Sequence, residues 1–207
     1  MEAAFSRLTM TAASAMLLLA LVVLWRRHVT AYITAFRTQS IVLAFVGMTV
    51  AWYGHVPELF LVAVLVLILK GWIVPRVLSG IETRRQGARE LHPLLNTETS
   101  LLISGALAVA AYEISRPLAD VMSLATRGGL PVALALIFVS LFIVVSRREA
   151  IAQIVGFLML ENGIALLALL GAYGVPLVVE LGVFLDVLLG VLVMQAVVYH
   201  IYDTSAD

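Results

Sequence analysis

The sequence predicts an all-α protein, a polytopic bundle of transmembrane helices with about seven spans. The first observation is composition: 62% of the 207 residues are hydrophobic, 13% are charged, and the mean hydropathy is +1.07. A typical soluble domain is about 45–50% apolar and about 25% charged. The second observation is that the apolar runs are continuous and rich in Leu, Val and Ala. This pattern favours helices in lipid over the alternating strands of an outer-membrane barrel.

Seven apolar runs define the predicted spans, and the second and third are separated only by a tight hairpin at 54–58. Several runs are shorter than the roughly 20 residues that a span needs, so we expect them to extend into their polar flanks. We expect residues 1–115 to form an N-terminal unit of about four spans, with a cytoplasmic loop near 78–96, and residues 116–207 to form a three-helix unit. In chain order the runs are 8–25, 40–56, 59–74, 101–114, 130–145, 151–173 and 177–202.

The arginines predict how the bundle is oriented. Loops rich in arginine usually lie on the cytoplasmic side of a membrane. The loops between runs one and two, three and four, and five and six are therefore predicted to be cytoplasmic, and so is the C-terminus. These loops hold Arg26, Arg27, Arg37, Arg76, Arg84, Arg85, Arg89, Arg147 and Arg148, whereas the opposite side holds Arg7, Arg116 and Arg127.

The last two apolar runs contain three carboxylates and the third run contains one lysine. Charged side chains inside a membrane are rare and usually mark ion or proton pathways. Glu161 lies thirteen residues beyond Arg148, roughly 20 Å along a helix, and Asp186 lies about nine residues into the last run, roughly 13 Å from its outer end. Their side chains are too short to reach the interface. We predict that they carry protons and face each other or a shared water-filled cavity; a structural salt bridge is the alternative. For Glu180 and Lys70, snorkelling to the interface and a place on the path both stay open.

The remaining polar residues limit the class of function. Gln39 and Asn162 are neutral groups that we expect to make polar contacts between helices. Without cysteine, this chain cannot hold a cysteine-ligated iron–sulfur cluster or nickel site, and its histidines lack metal-ligand spacing. Because the net charge of the chain is zero, we do not expect nucleic acid to be a partner.

Several motifs resemble the hydrogenase-4 component E family of membrane subunits. The similarity is strongest over 39–76 and 146–194. Its motifs are Arg147-Arg148, Gln153-Ile154-Val155-Gly156, Leu160-Glu161-Asn162-Gly163, Val179-Glu180-Leu181-Gly182, Asp186 and Gly190-Val191-Leu192-Val193-Met194, with Gln39-Ser40, Lys70 and Val74-Pro75 upstream.

The last three helices of that family are similar to the small K-type subunit of respiratory complex I. Arg147 and Arg148 match two arginines at the cytoplasmic start of its second helix, and Asp186 takes the place of its third-helix glutamate. Glu161 falls about one helical turn later than the second-helix glutamate, which aligns with Leu158.

The resemblance implies a non-catalytic membrane subunit of a group 4 [NiFe] hydrogenase or formate-hydrogenlyase-like complex in a bacterial or archaeal cytoplasmic membrane. The nickel-iron site and iron–sulfur clusters would lie on partner subunits, and antiporter-like membrane subunits would pack against this chain. Arg147 and Arg148 would tune the local potential or shape a cytoplasmic entrance. A complex I-like or sodium/proton antiporter assembly without hydrogenase, and a purely structural assembly scaffold, are the alternatives.

Overall fold

Long helices occupy each of the first six apolar runs, in a computed structural model that describes residues 2–26, 28–84, 95–121 and 126–172. The helix α3, a π-helical segment and α4 follow one another without a break, so this part of the chain contains six continuous helices. The prediction of an all-α protein is confirmed. The elements are α1 Glu2–Trp25, α2 Val29–Gly54, α3 Pro57–Ile68, the π segment Leu69–Ile73, α4 Val74–Arg84, α5 Thr97–Val121, a 3₁₀ turn Arg127–Gly129, α6 Leu130–Ser146 and α7 Ala150–Ala172.

Four of these helices are long and apolar enough to cross a membrane: Ala3–Trp25, Val29–Gly54, Pro57–Glu82 and Ala150–Gly171. The chain is therefore a multi-pass membrane protein. The described residues do not support the predicted count of seven spans. Helix α6 is apolar but has only 17 residues, and α5 carries Glu98, Glu113 and Arg116 together with Pro117 in its interior. The seventh predicted run, 177–202, lies outside the described residues.

The predicted hairpin between the second and third runs is confirmed, and its turn has a clear local cause. His55 adopts a left-handed backbone with φ 52°, and its N–H donates to the carbonyl of Ala51. A left-handed residue that closes the last turn in this way is a common helix end. Pro57 stands in the first turn of α3, where its missing N–H is not needed. Helices α2 and α3 therefore pack side by side.

Two glycines hold α7 close to α6. A Cβ on Gly156 would lie 2.9 Å from Ile143 Cγ2, and a Cβ on Gly163 would lie 3.0 Å from Ile137 Cγ1 and 3.2 Å from the Ile137 backbone nitrogen. The glycines are seven residues apart, so they lie on one face of the helix. Small residues let membrane helices approach closely. This contact fixes the height of the neighbouring residue pair Glu161 and Asn162.

Helix α2 is central, with α1, α3 and α7 packed around it. Its inward side buries Tyr32, Phe36 and Leu43 completely or nearly so, whereas Trp52 is 71% exposed at its end. Large apolar side chains are also exposed on the other helices, which suits a lipid environment. The division into units 1–115 and 116–207 stays a prediction.

Candidate functional site

A buried ion pair joins the π segment to α7. Lys70 Nζ lies 2.7 Å from Glu161 Oε2, and the two side chains are 5% and 10% exposed. Lys70 lies thirteen residues after Pro57, and Glu161 lies eleven residues after Ala150. These spacings correspond to about 20 Å and about 17 Å along their helices. Because the hydrocarbon layer is about 30 Å thick, both groups lie near the middle of their spans. In this structure the Lys70 ammonium is paired with Glu161, and the place of Lys70 on a path stays a prediction.

Neutral polar side chains extend the ion pair into a network across four helical elements. The Lys70 ammonium donates to Asn162 Oδ1 at 3.4 Å. Asn162 Nδ2 donates to Gln39 Oε1 at 3.1 Å and to Ser40 Oγ at 3.0 Å. Gln39 Nε2 in turn donates to the carbonyl of Met16, in α1, at 3.0 Å. We call Gln39, Ser40, Lys70, Glu161 and Asn162 the Lys70 cluster.

Local sequence explains why these side chains converge. Glu161 and Asn162 are adjacent on α7, and Gln39 and Ser40 are adjacent on α2, so each pair spans about 100° of its helix and faces the same interior region. Gly71 follows Lys70 and is buried; a Cβ there would lie 3.4 Å from Ile41 Cγ1 on α2. The π segment inserts an extra residue into the helix that carries Lys70. Such π-bulges occur frequently at functional sites.

The charges of the cluster balance while Glu161 is ionised and Lys70 is protonated. Removing one partner of a buried ion pair typically costs about 3–5 kcal/mol, because the other charge is left uncompensated. The pair can nevertheless change its charge by one proton, since a carboxylate can accept a proton and an ammonium can remain charged beside other acceptors. This chemistry requires neither metal nor redox cofactor. Within the described residues, no group of three His, Asp or Glu side chains could hold a metal ion.

Arg147 lies in a separate buried site at the turn between α6 and α7. Its Nη2 donates to the carbonyls of Val23 at 3.1 Å and Leu24 at 2.9 Å. These carbonyls belong to the last turn of α1, where helices leave acceptors unsatisfied and favour positive charge. The guanidinium also lies 5.6 Å from the ring centroid of Tyr32. Arg147 therefore ties the turn before α7 to the end of α1.

The structure brings together Gln39, Lys70, Glu161 and Asn162 among the residues singled out in the sequence. Arg147 lies at the other site, and the side chain of Arg148 is exposed. The tuning or entrance role of these arginines stays a prediction. Glu180 and Asp186 lie outside the described residues, so their predicted place on a path also stays a prediction.

Sequence reasoning missed the contact made by Ser40, which is completely buried and accepts from Asn162. Its position directly after Gln39 in an otherwise apolar helix is the signal that could have identified it.

Comparisons with known proteins give two levels of similarity. The chain is 37% identical over 196 residues to the uncharacterized protein Rv0085 of Mycobacterium tuberculosis, covering 93% of this chain and 88% of that protein. It is 25% identical over 166 residues to hydrogenase-4 component E of Escherichia coli, covering 80% of this chain and 77% of that protein. Hydrogenase-4 component E of Shigella flexneri gives the same values. No protein-family model and no solved structure matches the chain.

Proposed function

We propose a membrane-subunit function for this chain, which belongs to the same protein family as Rv0085 of Mycobacterium tuberculosis. In this proposal it is a non-catalytic integral membrane subunit of a redox-driven, ion-translocating hydrogenase complex. The distant similarity to hydrogenase-4 component E supports the assignment to a hydrogenase. The absence of cysteine from the sequence agrees with nickel-iron and iron–sulfur centres on partner subunits.

The observation that carries the proposal is the ion pair between Lys70 and Glu161, at 2.7 Å and halfway along two membrane-spanning helices. Ionisable groups inside membrane proteins usually serve ion or proton pathways. In our proposal the Glu161 carboxylate accepts and releases protons, and Lys70 supplies a permanent positive charge that attracts the carboxylate when it is ionised. Asp186 and Glu180 continue this path toward the opposite side.

The remaining features of the proposal concern the surroundings of the chain. It lies in the cytoplasmic membrane of a bacterium or archaeon with a cytoplasmic C-terminus, and 177–202 adds a further span. Antiporter-like membrane subunits pack against its apolar outer surface. Arg147, through its hydrogen bonds to α1, keeps the start of α7 in register with the cluster.

The test compares Glu161→Gln with Glu58→Gln in membranes of the source organism. Glu58 is an exposed glutamate in the first turn of α3 and provides the matched control. We expect Glu161→Gln to lower hydrogen-dependent ion uptake into inverted vesicles at least about tenfold, since a charged group essential to a path cannot be replaced by a neutral one. Glu58→Gln leaves uptake unchanged.

Assembly is measured in the same membranes, by affinity purification of the tagged chain and mass spectrometry of the proteins that accompany it. Unchanged uptake in an assembled Glu161→Gln complex would refute the proton-path role. Recovery of antiporter-type subunits without a nickel-site subunit would refute the hydrogenase assignment and favour the antiporter alternative.

A structural scaffold is the second candidate, and the hydrogen bonds between Asn162, Gln39 and Ser40 favour it. Polar side chains of this kind join membrane helices, each contributing about 0.6–2 kcal/mol. A scaffold predicts full ion uptake in every variant that assembles, so the same comparison separates the two functions.

A further inference from the structure

We infer that Asn162 is a positioning residue that holds the Lys70 ammonium whenever Glu161 is protonated. The inference rests on the proposed proton-path function and extends it. The ammonium lies between two acceptors, 2.7 Å from Glu161 Oε2 and 3.4 Å from Asn162 Oδ1. A displacement of about 0.6 Å toward Asn162 gives the length of about 2.8 Å that is usual for a charge-assisted hydrogen bond. The lysine therefore has a second acceptor within reach.

A directional chain of hydrogen bonds keeps the oxygen of Asn162 pointed at Lys70. The carbonyl of Met16 can only accept, so Gln39 turns its NH₂ group toward Met16 and its oxygen toward Asn162. That oxygen and Ser40 Oγ engage the NH₂ group of Asn162. The carbonyl oxygen of Asn162 is left facing the Lys70 ammonium. A backbone group of α1 thereby sets the orientation of an amide on α7, through Gln39 of α2.

The second acceptor decides whether the pair can gain a net proton. When the Glu161 carboxylate takes a proton from water on the supplying side, the carboxyl group becomes neutral and the charge of the pair rises from zero to plus one. The ammonium then moves to Asn162 Oδ1. When Glu161 releases the proton to water on the receiving side, the ammonium returns. The proton that enters on the supplying side leaves on the receiving side, and no electron is transferred.

Without the amide oxygen, a protonated Glu161 would leave a buried ammonium with one good acceptor fewer. Loss of a hydrogen bond to a buried charged group is strongly unfavourable. The pair would then stay in its ionised form to lower pH.

Other charged groups on the packed elements lie away from the pair. Helix α6 has no charged residue from Leu130 to Ser146, and Arg37 on α2 is exposed. On α4, the Arg76 guanidinium lies 4.0 Å from the ring centroid of Trp72. Glu82 lies twelve residues from Lys70, about 18 Å along the helix. Arg7 of α1 and Glu58 of α3 are exposed. Lys70 is thus the charged side chain that this part of the structure brings to Glu161.

The experiment is an infrared pH titration of the purified complex in lipid nanodiscs. The C=O band of protonated Glu161 is identified by its loss in Glu161→Gln. We expect Asn162→Leu to move the midpoint of this band to lower pH by about one unit or more, which corresponds to the loss of one hydrogen bond to a charged group. Gln39→Met, which frees the Asn162 amide to turn, moves the midpoint in the same direction by less.

Ser40→Ala and Ser140→Ala form a matched pair of buried serine substitutions. Ser40 accepts from Asn162, whereas Ser140 Oγ has no hydrogen-bond partner in the described part of the chain. We expect a downward shift for Ser40→Ala and none for Ser140→Ala.

An unchanged or raised midpoint in Asn162→Leu overturns the inference. If that variant does not accumulate, Gln39→Met and Ser40→Ala decide, and an unshifted midpoint in both overturns it. A band that never appears on acidification overturns it as well, because Glu161 then takes up no proton. Ion uptake in Glu161→Gln tests the proposed function separately. If uptake is lost in that variant while the midpoint in Asn162→Leu is unshifted, Glu161 lies on a proton path and Asn162 has only a packing role.

Discussion

Replacing Lys70 by methionine isolates the energy of the buried ion pair. Methionine fills a similar space but removes the ammonium, so the Glu161 carboxylate loses the group 2.7 Å from it. Breaking a buried pair on one side typically costs about 3–5 kcal/mol. For a chain of this size, each kcal/mol corresponds to roughly 2–4 °C in Tm. We therefore expect Lys70→Met to lower the Tm by about 6–20 °C.

The double variant Lys70→Met with Glu161→Gln provides the decisive comparison. It removes both charges, and neutral replacement of a buried pair is often without net cost. We expect most of the lost Tm to return, as measured by thermal unfolding of the purified protein in one detergent at one pH. A double variant no more stable than Lys70→Met alone would refute the view that an uncompensated charge causes the loss. A Lys70→Met protein as stable as the original would show that the pair is not maintained in the membrane protein.

Two further predictions concern the contacts that position the cluster. Arg147→Met removes two hydrogen bonds from a charged group to the end of α1, and we expect it to lower the free energy of unfolding by about 3 kcal/mol. The same replacement of the exposed neighbour Arg148 should change the free energy of unfolding by less than about 0.5 kcal/mol. Equal effects of the two replacements would contradict the role of Arg147 in holding the end of α1. Gly163→Ala places a methyl group 3.0 Å from Ile137 Cγ1 and 3.2 Å from its backbone nitrogen, which should cost about 1–3 kcal/mol. In Gly105→Ala the added methyl group meets nothing within 4 Å, and the substitution should stabilise α5 by about 0.5–1 kcal/mol. If the Tm changes in the same direction and by the same amount in both glycine variants, this would argue against close packing of α6 and α7.

The sequence predicted best those features of the fold that depend on a single helix or a single turn. Continuous apolar runs predicted seven helices, and the first six of these runs are helical in the described part of the chain. The short separation of the second and third runs at 54–58 predicted the hairpin. Helix ends were less accurate, because flanking polar residues such as those of 29–39 continue α2 beyond its apolar run. The span count failed for a related reason: α5 is apolar in part, but its charged residues keep it below the hydropathy of a span.

The site was only partly predictable. Lys70 and Glu161 were each recognisable as unusual inside apolar runs, yet their pairing joins positions 91 residues apart and depends on how α3 and α7 pack against α2. The π segment adds one residue per turn over a short stretch, which leaves no signal in the spacing of apolar residues. For Arg147 the sequence shows only a place beside the membrane, because its acceptors belong to a helix that ends more than 120 residues earlier. Its entrance or tuning role stays a prediction.

The distance in sequence between Lys70 and Glu161 has a consequence for biogenesis. The lysine leaves the ribosome 91 residues before its carboxylate, which at about 5–20 residues per second is a delay of roughly 5–18 seconds. During that interval the third hydrophobic segment enters the bilayer with an ammonium that its own segment cannot neutralise, an insertion that carries a penalty of about 2.5–3.5 kcal/mol at mid-membrane depth. The newly made segment therefore depends on the translocon, or on a shallow position that the long lysine stem allows, until the glutamate arrives. Truncated nascent chains that end before α7 should be poorer substrates for stable insertion than chains that include it.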